Sequence, residues 1–176
     1  MALYVVTGGA GFIGSHLVEA LLARDENVRV LDNFSTGKRE NLDPFLNRIA
    51  VVEGDLRSID EVRRAVDGVD YVLHQGALRS VPRSVDDPMS TNDVNVGGTL
   101  NVLQASKEAG VKRVVSASSS SVYGDRNDFP LREEMDTEPI SPYAVSKLAA
   151  EKYCKVFTRL YGLETVSMRY FNVFGP

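Results

Sequence analysis

The sequence predicts a doubly wound parallel α/β sheet forming one domain over residues 1–176. Two observations carry that reading. Runs rich in β-branched residues alternate with amphipathic stretches of helical length, the pattern of βα units whose sheet is covered on both faces. The length, 176 residues with 43% hydrophobic content, suits one sizeable core and is short for two ordinary domains. Right-handed crossovers then wind the chain, and ligands of such sheets sit beyond the carboxyl ends of the strands.

In chain order, Leu3 to Thr7 reads as a strand, Phe12 to Arg24 as a helix, and Val28 to Asp32 and Ile49 to Glu53 as strands. Ile59 to Val66 is helical by its spacing of apolar residues, and Tyr71 to His74 is a short strand. Thr91 to Ala109 reads as one helix, Arg113 to Ser118 as a strand, Pro142 to Tyr161 as a long helix and Glu164 to Tyr170 as the last strand. Ser141 suits the N-cap of the long helix and Pro142 its first turn.

Charge and cysteine content narrow the partners. The formal net charge is −4 with no basic run, which argues against a nucleic-acid surface and against attraction to anionic lipid. One cysteine, Cys154, excludes an intramolecular disulfide. With no signal segment or long apolar span, the chain is expected to be cytoplasmic and to have no membrane partner. The two histidines, His16 and His74, have no partners at ligand spacing, so no metal site is expected. His74 is read as ordering the loop after its strand, and the acidic stretch Arg132 to Glu138 as a solvated loop over the cleft.

The first chemically specific segment is Thr7-Gly8-Gly9-Ala10-Gly11-Phe12-Ile13-Gly14, between the first strand and the first helix. Gly8 permits the tight turn, Gly11 lets backbone approach a pyrophosphate, and Gly14 lets the helix pack on the sheet. Free amides of the helix start, Phe12 and Ile13 among them, then face the anion with the positive end of the dipole. Asp32 ends the second strand where a ribose-binding carboxylate is expected, followed by Asn33, Ser35, Thr36 and Gly37. A carboxylate there accepts ribose hydroxyls and repels a 2′-phosphate, which favours NAD over NADP. Lys38 and Arg39 are read as solvated loop charges, with 2′-phosphate binding as the competing reading. Asp55, with Leu56 beside it, either borders the adenine or is a turn residue that caps a helix.

The second is Ser141-Pro142-Tyr143-Ala144-Val145-Ser146-Lys147. Tyr143 and Lys147 share one helical face, where an ammonium can stabilise a tyrosinate and lower its pKa from about 10. Such a tyrosine exchanges a proton with a carbinol as hydride leaves it. The third is Ser118-Ser119-Ser120-Ser121, at the end of the fifth strand, whose hydroxyls either bond a reacting oxygen or cap backbone groups.

Taken together, TGGAGFIGSHL, GDL at Gly54 to Leu56, HQGA at His74 to Ala77, SSSSVYG, SPYAVSK and RYFNVFGP resemble the extended short-chain dehydrogenase/reductases of the NAD-dependent epimerase/dehydratase family. The motifs occur in the family's order, and the resemblance is strongest to UDP-hexose 4-epimerases. Ser80-Val81-Pro82-Arg83-Ser84 further resembles the subgroup acting on N-acetylated UDP-hexosamines. The resemblance implies a Rossmann fold, NAD as retained cofactor, a UDP-sugar as substrate and a homodimer. It implies Tyr143 as general acid/base, Lys147 on the nicotinamide ribose, Ser119 as the catalytic hydroxyl and Asn95 as support for the active-site geometry. Gly76, Ala77, Arg79, Ser118 and Tyr170 become cofactor contacts; Ser80, Arg83, Ser120, Ser121 and Asn172 become substrate contacts. Gly76 stands where the family usually has alanine, which implies a slightly looser nicotinamide pocket. Dehydratases need an acidic pair where Ser120 and Ser121 stand, so epimerisation at C4 is expected, with a decarboxylase or simple dehydrogenase left open. Because the family continues well past RYFN, its substrate domain is expected to be largely absent here, and the alternative is an NAD-binding module with little or no turnover.

Overall fold

The computed structural model describes residues 1–175. Six strands, β1 (Leu3–Thr7), β2 (Asn27–Asp32), β3 (Ile49–Glu53), β4 (Tyr71–His74), β5 (Arg113–Ser119) and β6 (Glu164–Tyr170), form one parallel sheet in the order β3-β2-β1-β4-β5-β6. This is the doubly wound Rossmann arrangement. Its topological switch lies between β1 and β4, where the winding reverses and a crevice opens beyond the strand ends.

Consecutive residues of the central strands feed opposite faces. Val5 and Leu31 join a core with Val62, Val72, Val102 and Phe157, whereas Val6 and Val30 join a second core with Val18, Leu22 and Leu42. Helix α1 (Phe12–Leu22) covers the second core, and α2 (Ile59–Val66), α5 (Gly98–Glu108) and α6 (Pro142–Tyr161) bring residues to the first. Coverage of both faces at the centre of the sheet explains the largely apolar runs of β1 and β2.

The helix expected over Thr91 to Ala109 is present, but it opens earlier, at Pro88, and carries a π-type turn. Ser80 caps α3 (Val81–Asp86), Asp87 caps α4 (Pro88–Asn92), and a π-type turn at Asp93–Gly97 leads into α5. Pro88 cannot donate a backbone hydrogen bond, and the Asp87 carboxylate instead accepts from the Ser90 amide. The wide turn has its own cause: the Thr99 hydroxyl donates to the Asn95 carbonyl at 2.5 Å, a side chain entering the helical ladder. Gly98 lets α5 come close to the β3–α2 loop, since a Cβ there would lie 2.8 Å from the Leu56 Cβ. The stretch before α6 has no regular structure and is held by Arg126, which grips the Asp128 carboxylate and the Asp136 carbonyl.

Candidate active site

One cleft runs across the carboxyl ends of the strands, from the glycine loop to Tyr143 and on to Tyr170 and Asn172. At its first end Gly8 has φ +68°, and a Cβ there would lie 2.7 Å from the Gly76 Cα, so the β1 and β4 loops touch through backbone alone. A Cβ on Gly14 would fall 2.1 Å from the Gly8 carbonyl oxygen. Helix α1 begins at Gly11 with no side chain capping it, which leaves its first-turn amides to an anion in the cleft.

Asp32 shapes this loop. Its Oδ2 accepts from the Ala10 amide at 2.9 Å and its Oδ1 from the Phe34 amide at 2.8 Å. Each carboxylate oxygen keeps one further lone pair for a ribose hydroxyl. Asp55 closes the wall: it accepts from the Arg57 amide and guanidinium and from the Asn33 side chain. These bonds hold its carboxyl well below the usual carboxylate range. It is a turn residue on the cleft and does not cap α2, whose N-cap is Ser58. Arg39 pairs with Glu53 at 2.5 Å and lies 3.8 Å above the Phe34 ring.

At the other end, Ser119 accepts from the Ser121 amide at 3.2 Å and from its hydroxyl at 2.9 Å. With its acceptor side occupied, the Ser119 hydroxyl is left to donate, and Tyr143 lies within its reach. Lys147 is buried and donates to the Ala117 carbonyl at 2.9 Å. Its ammonium is 5.9 Å from the centre of the Tyr143 ring. Burial raises the Tyr143 phenol above its ordinary value, against the Ser119 hydrogen bond and the charge of Arg79, which pull it down. The expectation that Lys147 depresses the tyrosine therefore does not describe this form. Burial instead lowers the lysine's own pKa to about 8.

The cleft gathers almost every residue expected in it, including Arg79, Arg83 and the loop after Asp32. Three sit otherwise. The Ser80 hydroxyl accepts from the Arg83 amide and serves as a helix cap. Asn95 is buried behind the cleft wall, bonded to both main-chain groups of Leu78 and to Ser146. The Ser118 hydroxyl turns into the interior and donates to Glu151 at 2.5 Å, leaving only its main chain to face the cleft. Nor is the pocket looser at Gly76: a Cβ there would lie 2.9 Å from the Leu56 Cδ1, so that side chain already fills the space.

This geometry has close counterparts among known proteins. Residues 4–176 match the model of the NAD dependent epimerase/dehydratase family. The chain belongs to this family. A UDP-glucose 4-epimerase of Lacticaseibacillus casei is 40% identical over 172 residues, covering 97% of this chain and 51% of that protein. The structure of Thermus thermophilus UDP-glucose 4-epimerase in complex with NAD superposes with a TM-score of 0.94 at 46% identity, covering 99% of this chain and 56% of the other. The UDP-N-acetylglucosamine 4-epimerase of Methanobrevibacter ruminantium, in complex with UDP-N-acetylmuramic acid, gives a TM-score of 0.94 at 44% identity, again over 99% and 56%. The chain thus spans little more than half the length of these relatives.

Two features of this family member escaped the sequence reading. Buried Glu151 and partly buried Arg169 form an ion pair at 2.9 Å beneath the cleft floor, and the Arg169 guanidinium lies 4.7 Å from the centre of the Tyr123 ring. Glu151 stands four residues beyond Lys147 on α6, a continuation of the Tyr143–Lys147 spacing that would have flagged it. His74, read as ordering the loop after its strand, is buried at the end of β4, and the partners it uses, threonine hydroxyls on both ring nitrogens, were not legible in the sequence.

Proposed function

We propose that this chain carries the NAD-binding half and the proton-transfer site of a nucleotide-sugar 4-epimerase acting on a UDP-hexose or its N-acetylated form. The observation that carries this reading is a single cleft joining an uncapped helix start at Gly11 to the Ser119–Tyr143 pair. The cradle fits a dinucleotide: only glycine fits at Gly8 and Gly14, and first-turn amides face outward. Asp32 favours a ribose diol over a 2′-phosphate, and Arg39, engaged by Glu53, offers such a phosphate no unpaired charge. NAD is therefore the cofactor proposed.

The chemistry NAD supplies when bound is reversible hydride acceptance from C4 of the sugar. Tyr143, as the phenolate, takes the 4-hydroxyl proton on its Oη and gives it back to the keto oxygen as hydride returns to C4, so no net oxidation results. Ser119, held as a donor by Ser121, bonds that oxygen in both protonation states. Because burial keeps Tyr143 protonated, proton removal needs positive charge beside the phenol, and Lys147 and Arg79 are the groups placed to bring it. Ser120 and Ser121 provide no acid or base for elimination, which supports epimerisation over dehydration. Arg83 and Asn172 at the open end of the cleft are the proposed substrate contacts.

A cytoplasmic homodimer belongs to the same reading. Val145, Tyr153, Val156 and Leu160 leave an exposed apolar stripe along α6, the kind of surface that self-association covers. No helix among the described residues is long and apolar enough to cross a membrane.

Native mass spectrometry with NAD and UDP-N-acetylglucosamine tests the proposal. Binding of NAD supports the dinucleotide half, binding of both makes an epimerase assay against Tyr143→Phe decisive, and binding of neither overturns it.

A further inference from the structure

At the carboxyl end of β4, His74 has almost no solvent contact yet touches no part of the cleft surface. Its Nδ1 is 2.7 Å from the Thr7 hydroxyl and its Nε2 is 3.0 Å from the Thr99 hydroxyl. The network assigns every proton. Thr99 donates its hydrogen to the Asn95 carbonyl, so its oxygen must accept from His74 Nε2–H. Nδ1 is then an acceptor and takes the Thr7 hydrogen, while the Thr7 oxygen accepts from the Gly76 amide at 3.2 Å. The result is a one-directional chain from the Gly76 amide through Thr7, His74 and Thr99 to Asn95.

Both ends of this chain grip the same short segment. Asn95 accepts from the Leu78 amide at 2.8 Å and donates to the Leu78 carbonyl at 2.9 Å. It also donates to Ser146, whose hydroxyl bonds the carbonyl of Tyr143 at 2.7 Å. Neutral imidazole alone can serve here, because a second ring proton would leave Thr7 facing a donor; burial and the nearby Lys147 charge keep the ring neutral, with a pKa of about 3.

We propose that His74 is a positioning residue: through Thr7 and Thr99 it fixes the Gly76–Leu78 segment of the cleft wall relative to the helix that carries Tyr143. The proposal rests on the dinucleotide reading for its effect on cofactor, but the mechanical claim stands on the hydrogen bonds alone. Among the described residues, His74 joins the end of β1, the end of β4 and the turn at Asn95 in a single network of side chains.

Thr99 offers a discriminating test. Thr99→Val keeps the shape and removes the hydroxyl; Thr99→Ser keeps the hydroxyl and removes a methyl. Amide hydrogen exchange at Gly76 and Leu78 and calorimetric NAD affinity are measured for both and for the wild type. The expected order is Leu78 exchange about tenfold or more faster and NAD binding weakened by a similar factor in the valine variant, with serine within about twofold of wild type. A site that needs only packing gives the reverse order, and either that reversal or wild-type exchange in both variants overturns the proposal. Should Thr99→Val fail to fold, His74→Phe is read by the same Leu78 exchange and the same criterion. A wild-type chain that binds no NAD removes the dinucleotide reading, while the exchange order still decides the role of His74.

Discussion

The ammonium of Lys147 donates to the carbonyl of Ala117, on the neighbouring strand, although Tyr143 stands one helical turn away on the same face. Of the two cations at this end of the cleft, Arg79 is the one whose charge lowers the Tyr143 pKa in this form. Replacing Arg79 by Ala is therefore expected to raise the Tyr143 pKa more than replacing Lys147 by Met. Carbon-13 NMR of ring-labelled tyrosine, with the Tyr143 signal assigned by Tyr143→Phe, reads this directly. A larger shift from the lysine variant would show that Lys147 acts on the phenol without leaving Ala117.

Two glycines of the phosphate loop separate folding from binding. A Cβ at Gly14 meets the Gly8 carbonyl oxygen at 2.1 Å, whereas one at Gly11 meets the same atom at 3.2 Å. Gly14→Ala is expected to destabilise the fold by about 3 kcal/mol or more, an overpacking that backbone cannot relieve. Gly11→Ala should leave stability within about 1 kcal/mol while abolishing tight dinucleotide binding, because the methyl group occupies the anion's approach. Urea unfolding and NAD calorimetry on the same two variants check both halves.

Beneath the floor of the cleft, Glu151 pairs with Arg169 and accepts from Ser118. Removing Glu151 leaves the partly covered Arg169 guanidinium without its carboxylate and Ser118 without its acceptor, a loss of about 2 kcal/mol for Glu151→Ala. The double change Glu151→Ala with Arg169→Met should recover part of that loss, since an apolar replacement of the pair carries no unpaired charge. Denaturant midpoints of the single and double variants decide it; equal losses in both would mean that the pair contributes through packing alone.

What the sequence discloses here is punctuation, and what it conceals is partnership across the sheet. Boundaries such as Ile59 to Val66 and Pro142 to Tyr161 are read correctly because an apolar stripe marks both locally and the capping Ser141 marks the second. The helix start at Asp87-Pro88 carries an equally local signal, a capping carboxylate before a proline, although apolar periodicity alone opens that helix at Thr91. Glycine and tyrosine motifs place the two ends of the cleft because each depends on neighbours within one βα unit. Ser118 pointing inward, Asn95 behind the wall and Leu56 filling the space beside Gly76 depend on residues brought from elsewhere in the chain. His74 is the extreme case: its partners Thr7 and Thr99 come from two other elements, and nothing around it in sequence shows which groups it uses to order the loop after its strand.

Burial of His74 also sets an acid limit on the fold. Its folded pKa of about 3 lies below the ordinary histidine value, so between about pH 6.5 and 3 the unfolded chain binds a proton that the folded chain refuses. Stability must then fall as pH drops through that window, by up to about 1.4 kcal/mol per pH unit from this one group. Lys147 acts with the same sign at higher pH: with a folded pKa of about 8, below the ordinary 10.5, it makes stability rise with pH between those two values. His74→Gln removes the titrating ring, so the variant, though less stable at neutral pH, should lose stability less steeply than wild type between pH 6.5 and 4. Urea denaturation at intervals across that range gives both slopes. Parallel slopes would mean that the imidazole accepts its second proton inside the folded protein, which the threonine network, with Nδ1 committed to the Thr7 hydrogen, leaves no room for.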